Sequence, residues 1–112
     1  MVVDSSGIAD LCVEAEQGTL FYTTHVAEQS IKRDQPRRDD ITTILCYDTA
    51  KVIEPYPNGP RGKCCLIWGT VAGGRIGHIV CSYPPNSLVI TTYWPDLDPE
   101  KWEDLEYTIR RT

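Results

Sequence analysis

Between Val52 and Trp94 the chain breaks into four apolar runs: Val52–Tyr56, Lys63–Trp68, Arg75–Tyr83 and Leu88–Trp94. The separators are PNGPRG, GTVAGG and PPN, all built from turn formers. Each run is too short for a stable helix, is rich in β-branched and aromatic residues, and ends at glycine or proline, which is the pattern of strands. Connections this short join neighbouring strands head to tail, so the runs predict an antiparallel meander. The paired glycines of GTVAGG supply the positive φ that a hairpin turn requires.

Upstream the pattern changes to helical spacing. Ser5 or Ser6 is placed to cap a helix through about Gln17, with Ile8, Leu11, Cys12 and Ala15 on one stripe and Gly18 as the stop. Residues 19–22 read as a short extended piece. Thr23 or Thr24 caps a second helix, whose buried side is expected at Ala27 and Ile31. The polar segment 32–40 interrupts it. Asp39 or Asp40 then caps a third helix with Ile41, Ile44 and Leu45 as its apolar face. After the last strand, Asp98-Pro99 resembles an N-cap followed by proline at N1, and Trp102, Leu105 and Ile109 recur at helical spacing. The expected architecture is an α+β fold, a single domain over residues 1–112. N-terminal helices pack on one face of an antiparallel four- to five-stranded β-sheet, and a short C-terminal helix follows.

Composition removes several function classes. No apolar run approaches the length of a membrane span, and the first ten residues lack the basic and apolar blocks of a secretory signal. The five cysteines are odd in number and match no zinc spacing, so they read as reduced core thiols of a cytoplasmic protein. No phosphate-binding loop, dinucleotide fingerprint or carboxylate metal cluster is present, so neither cofactor nor metal is expected. The net charge is −5, with the acidic excess at the two ends. Only residues 51–80 are basic: Lys51, Arg61, Lys63 and Arg75 stand against Glu54 alone. Such a balance opposes tight non-specific binding to long nucleic acid but leaves room for a focused site.

The groups suited to phosphodiester chemistry are few. Alternation along residues 75–83 places Ile76, His78, Val80 and Ser82 on one face and Arg75, Gly77, Ile79 and Cys81 on the other. His78 is either a hydrogen-bonded core histidine or a proton-transfer group at a cleft edge. Arg75 reaches the same cleft only if a bulge beside its glycines turns it. His25 lies at the start of the second helix, where backbone N–H groups attract anions, and Arg33 follows at the far end. Arg61 and Lys63 flank a glycine in a loop that either clamps phosphate or is an exposed hairpin tip. Alternation along the last strand groups Thr92 with Leu88, Ile90 and Trp94, and groups Thr91 and Tyr93 with Val89. The hydroxyls of Thr92 and Tyr93 suit ribose or phosphate as well as an ordinary strand.

Several strings together resemble the small domain family DUF4258. They are Phe21-Tyr22-Thr23-Thr24-His25, Arg33 beyond the helix, Ile53-Glu54-Pro55-Tyr56-Pro57, Gly77-His78-Ile79-Val80, and Ile90-Thr91-Thr92-Tyr93-Trp94-Pro95 with Trp102 beyond. Domains of this family are similar to RelE-like toxins and the wider barnase-like group of ribonucleases. The resemblance implies helices preceding an antiparallel sheet, and metal-independent RNA cleavage by attack of the 2′-hydroxyl. Under it His78, His25, Arg33 and Arg75 are the catalytic candidates, and Lys63, Arg61, Thr92 and Tyr93 the substrate-binding ones. RNA and an antitoxin protein are the implied partners. The rival expectation is a non-enzymatic protein-interaction or structural module, with an open sheet edge serving homodimerisation.

Overall fold

The computed structural model describes residues 5–32, 35–59, 62–83 and 87–111. Three helices, α1 (Ser5–Gln17), α2 (Thr24–Lys32) and α3 (Arg38–Cys46), are joined to five strands. The strands are β1 (Phe21–Tyr22), β2 (Lys51–Gly59), β3 (Gly62–Thr70), β4 (Ile76–Ser82) and β5 (Leu88–Tyr93). They form one sheet in the order β1-β5-β4-β3-β2. The expected meander is present, since β2 to β5 pair antiparallel in succession. The short piece before α2 adds a fifth strand parallel to β5 and makes the sheet mixed.

The helices cover one face. Leu11, Leu20, Val26, Ile41, Ile44 and Leu45 pack there with Cys65, Ile67, Ile79, Cys81 and Val89 of the sheet. Among the α2 side chains that are described, Val26 is buried and Ala27 exposed, because the helix begins at Thr24 with Thr23 accepting from the Val26 N–H; the Ile31 side chain lies outside the described residues. The third helix starts at Arg38 with Arg37 as its N-cap, two or three residues ahead of the expected caps Asp39 and Asp40, and the Asp40 carboxylate accepts from the Arg37 N–H at 3.0 Å. Its Ile44 seats in a notch made by the cross-strand pair Gly69 and Gly77. A Cβ at Gly69 would stand 2.7 Å from Ile44 Cγ2 and 2.8 Å from the Ile44 carbonyl oxygen, and one at Gly77 would stand 2.5 Å from Ile44 Cδ1. Glycine at both positions thus lets α3 approach the sheet backbone, while Gly73 and Gly74 take positive φ in the β3–β4 turn.

Simple alternation fails in one place. Val80 pairs with Thr91 but Cys81 pairs with Val89, so Ile90 is an extra residue on β5. This bulge puts Val89 and Thr92 on the same, helix-covered face, and leaves Thr91 and Tyr93 on the other.

The cysteines also differ from expectation. Cys12 of α1 and Cys46 of α3 form a disulfide, while Cys64, Cys65 and Cys81 are free and buried. The two helices lie side by side, which brings residues 34 apart in sequence to a Cα separation of 5.0 Å.

The C-terminal helical segment takes the form of two single 3-10 turns, Pro95–Leu97 and Pro99–Lys101. Trp102 then becomes extended and buries its indole against His78, ending helical geometry. The chain reverses and Arg110 bridges back to Trp102. The Asp104 carboxylate seals this reversal by accepting from the N–H groups of Thr108 and Ile109 at 2.8 and 3.0 Å. Tyr107 takes a left-handed φ of 59° within it. Leu105 and Ile109, expected on a buried stripe, are therefore 94% and 55% exposed. Among the described residues no helix is long and apolar enough to cross a membrane.

Candidate active site

The second face of the sheet mixes polar side chains with Leu66, Trp68 and Val80, and the C-terminal strap covers it. Glu54 and Tyr56 of β2 pair with Leu66 and Cys64 of β3. Trp68 pairs with His78, and His78 pairs with Tyr93, so all of these residues share this face. The strap docks through three contacts. The Trp68 indole N–H donates to the Glu106 carbonyl at 2.7 Å, His78 meets the Tyr107 carbonyl, and Arg110 reaches Glu54.

His78 is fully buried. Its Nε2 lies 3.0 Å from the Tyr107 carbonyl oxygen, an acceptor, so Nε2 carries the proton. Nδ1 therefore accepts from the Tyr93 hydroxyl at 3.2 Å. The ring stands edge-on to Tyr93 and Trp102. Burial first, with the nearby Arg110 cation adding to it, pushes the imidazole pKa down to about 4, against the smaller upward pull of the Tyr107 carbonyl. A histidine so held is neutral, fixed in one tautomer and walled from solvent. It orients Tyr93 and the strap and does not shuttle protons near neutrality.

Arg110 is the hub. Its Nε and Nη2 bind the Glu54 carboxylate at 3.1 to 3.2 Å, and its guanidinium stacks over the Trp102 ring at 4.7 Å. The Tyr56 hydroxyl donates to the same carboxylate. Partial burial would raise the Glu54 pKa, but the bonds from Arg110 and Tyr56 outweigh it and hold the carboxyl below its ordinary value. Burial and the Glu54 anion push the Tyr56 phenol up to about 12, and burial raises Tyr93 as well, so both keep their protons. Beside this cluster opens a cavity of about 350 Å³ lined by Val80, Thr91, Tyr93, Pro95, Asp98, Lys101, Trp102 and Arg110. Two cations, one carboxylate, two hydroxyls and an indole face one space large enough for a small ligand, and Lys101 lies 3.9 Å from the Asp98 carboxylate.

The structure brings together only some of the residues that the sequence singled out. His78 and Tyr93 are adjacent on the strap side. His25 is exposed in the first turn of α2, on the helix-covered side, so the sheet separates the two histidines. Thr92 is buried on that side too, its hydroxyl donating to the Pro36 carbonyl at 3.4 Å. Arg75 lies over the Trp94 ring and makes a two-pronged ion pair with Asp96, both bonds 2.9 Å, so no bulge turns it toward His78. Lys63 is exposed at the start of β3, and Arg33 and Arg61 lie outside the described residues. As site residues, Glu54, Tyr56, Lys101 and Arg110 were not among the sequence candidates, and Trp102 was expected in a helix. The signal available for Glu54 and Tyr56 was their i, i+2 spacing in β2. Nothing local in the sequence marks the partner of Arg110, because the strap is stabilised by the sheet and not by its own pattern.

A family model described as a domain of unknown function, DUF4258, matches residues 22–94. No curated protein and no solved structure matches the chain.

Proposed function

The chain belongs to the DUF4258 family, and we propose that its strap-side cavity is the site of a metal-independent endoribonuclease of the RelE-like kind. The observation that carries this reading is the Glu54–Arg110 ion pair beside a cavity that Arg110 lines together with Tyr93, Thr91 and Lys101. RNA cleavage through its own 2′-hydroxyl needs a base, a cation for the phosphoryl oxygens and a proton donor near the leaving oxygen. In this reading Glu54, which stands behind Arg110 and does not itself line the cavity, is the anion that takes the 2′-hydroxyl proton. Arg110 and Lys101 are placed to hold the phosphate. As the phosphate draws Arg110 outward, Glu54 loses part of its counter-charge and becomes a stronger base. Tyr93, protonated and aimed by His78, is the donor at the cavity wall. His78 serves as a positioning residue, and the remote His25 takes no part. A cytoplasmic setting, with RNA as substrate, goes with this reading.

A second reading, a protein-docking module, draws on Leu97, Leu105 and Ile109, which are exposed around the strap. A protein that covers these residues would also close the cavity, as an inhibitor does. Pairing through a sheet edge has less support. The edge strand β2 carries Pro55 and Pro57, which lack donors, and β1 is only two residues long.

The test is product analysis. Single-stranded RNA incubated with the protein and a chelator is expected to yield 2′,3′-cyclic phosphate ends, and an oligonucleotide with 2′-deoxy sugars is expected to survive. Glu54→Gln should abolish the product. Intact RNA across varied sequences at high protein concentration rejects the enzymatic reading and leaves the docking module.

A further inference from the structure

On the opposite side of the molecule, the Cys12–Cys46 disulfide has a carboxylate against it. Glu16 stands one turn beyond Cys12 on α1, and its Oε1 lies 3.6 Å from Cys12 Sγ. A disulfide sulfur has no proton to donate, so no hydrogen bond explains this approach in the oxidised protein. The two sulfurs and the carboxylate oxygen all lie within 4.8 Å of one another. The cysteines are half-buried and line a groove of about 440 Å³ with Ile8, Val13, Leu45 and Asp48, so small reagents reach them from solvent. Cys64, Cys65 and Cys81 are buried and distinct from this pair.

We propose that the reduced Cys12 and Cys46 thiolates, with Glu16, form a zinc site, and that the disulfide and the metal exclude each other. The donor set suits zinc, which takes thiolate sulfur and carboxylate oxygen in a tetrahedron, here with water as the fourth ligand. With Zn–S near 2.3 Å and Zn–O near 2.1 Å, a tetrahedral angle puts sulfur and oxygen roughly 3.6 Å apart and two sulfurs roughly 3.8 Å apart. The Cys12–Glu16 separation already has the first value. The sulfur pair has to open, and Cys46 Sγ has to settle at the same distance from the carboxylate from within 4.8 Å, by rotation about the side-chain bonds once the S–S bond is gone.

The chemistry balances with a thiol reductant. Two equivalents of a small thiol, or one dithiol, attack the disulfide in sequence. Their sulfurs leave joined as a disulfide, and Cys12 and Cys46 gain two electrons and two protons. Zinc then displaces both thiol protons to solvent. A small disulfide reverses the sequence: it takes up the two electrons and is released as two thiols, the Cys12–Cys46 bond re-forms, and zinc leaves. In either state α1 remains linked to α3, so one cross-link replaces the other.

The test uses the full chain, reduced and freed of small thiols under argon, and titrated with Co²⁺ and then Zn²⁺. One equivalent of Co²⁺ is expected to bind with a thiolate-to-metal charge-transfer band and the intense d–d bands of tetrahedral coordination, and Zn²⁺ is expected to bleach both. The oxidised protein should bind neither metal at this site. Cys46→Ser should lose the band. Glu16→Gln, which keeps the thiols and the helix, should weaken binding by at least the roughly 10–100-fold that follows loss of an outer-shell partner. No band in the reduced protein, a band that persists in Cys46→Ser, or affinity unchanged in Glu16→Gln overturns the proposal.

Discussion

The two faces of the sheet are held by different physics. Under the helices, contact is by shape: Ile44 fills the Gly69–Gly77 notch, and buried aliphatic residues and thiols fill the remaining space. Under the strap, contact is by donors and acceptors: an indole N–H, an imidazole and a guanidinium each grip a carbonyl or carboxylate. The apolar face tolerates no extra atom, whereas the polar face is a set of directed bonds around an open cavity. The contrast sets a close-packed face against one held by directed bonds, and the proposed site lies on the second.

The largest expected effect lies in the notch. Ile44→Ala leaves the glycine pair facing a void and should cost about 2–5 kcal/mol in chemical denaturation. Gly69→Ala, the reverse error, should cost about 1–3 kcal/mol through overpacking against the α3 backbone. If both variants unfold with the wild-type midpoint, the helix face is not set by shape.

The next effect is a pH dependence from His78. Its folded pKa of about 4 lies below the ordinary 6.5, so the unfolded chain takes up a proton first as pH falls. Stability is full above about pH 6.5 and is lost progressively down to about pH 4, by an amount on the order of 2–3 kcal/mol. His78→Gln, which cannot ionise, should flatten this slope in denaturation curves measured across that window. A slope of equal size in His78→Gln assigns the pH dependence to other groups and removes His78 from the account of the strap.

The elements were legible in the sequence where a local pattern fixed them. The four runs read correctly as strands because their alternation is contained within a few residues, although β2 continues through Gly59 and β3 spans Gly62–Thr70, so the strands take up residues expected in the turns PNGPRG and GTVAGG. The apolar stripe Ile41, Ile44 and Leu45 read correctly for the same reason. The errors came where a distant partner outweighed the local signal. Residues 98–109 have helical spacing, but Trp102 gains more by burial on His78 than a short helix would supply. One bulge at Ile90 reversed the facing of Val89 relative to Thr92. Arg75 and His78 were legible as diverging, and they do diverge, Arg75 to Asp96 and His78 to the strap. The Glu54–Arg110 pair joins residues 56 apart in sequence, and no spacing rule reaches that far.

The smallest expected change in stability accompanies the largest expected change in function. Arg110 is 44% exposed in its ion pair with Glu54, so Arg110→Ala should alter stability by no more than about 1 kcal/mol once solvent screening is allowed for. Loss of its guanidinium from the phosphate position should reduce RNA cleavage by roughly 100-fold or more. The most direct measurement is therefore cleavage rate and unfolding midpoint on the same preparation of Arg110→Ala. The account predicts a near-wild-type midpoint with cyclic-phosphate product all but lost. A wild-type cleavage rate in that folded variant would contradict the placement of function on the strap-side face.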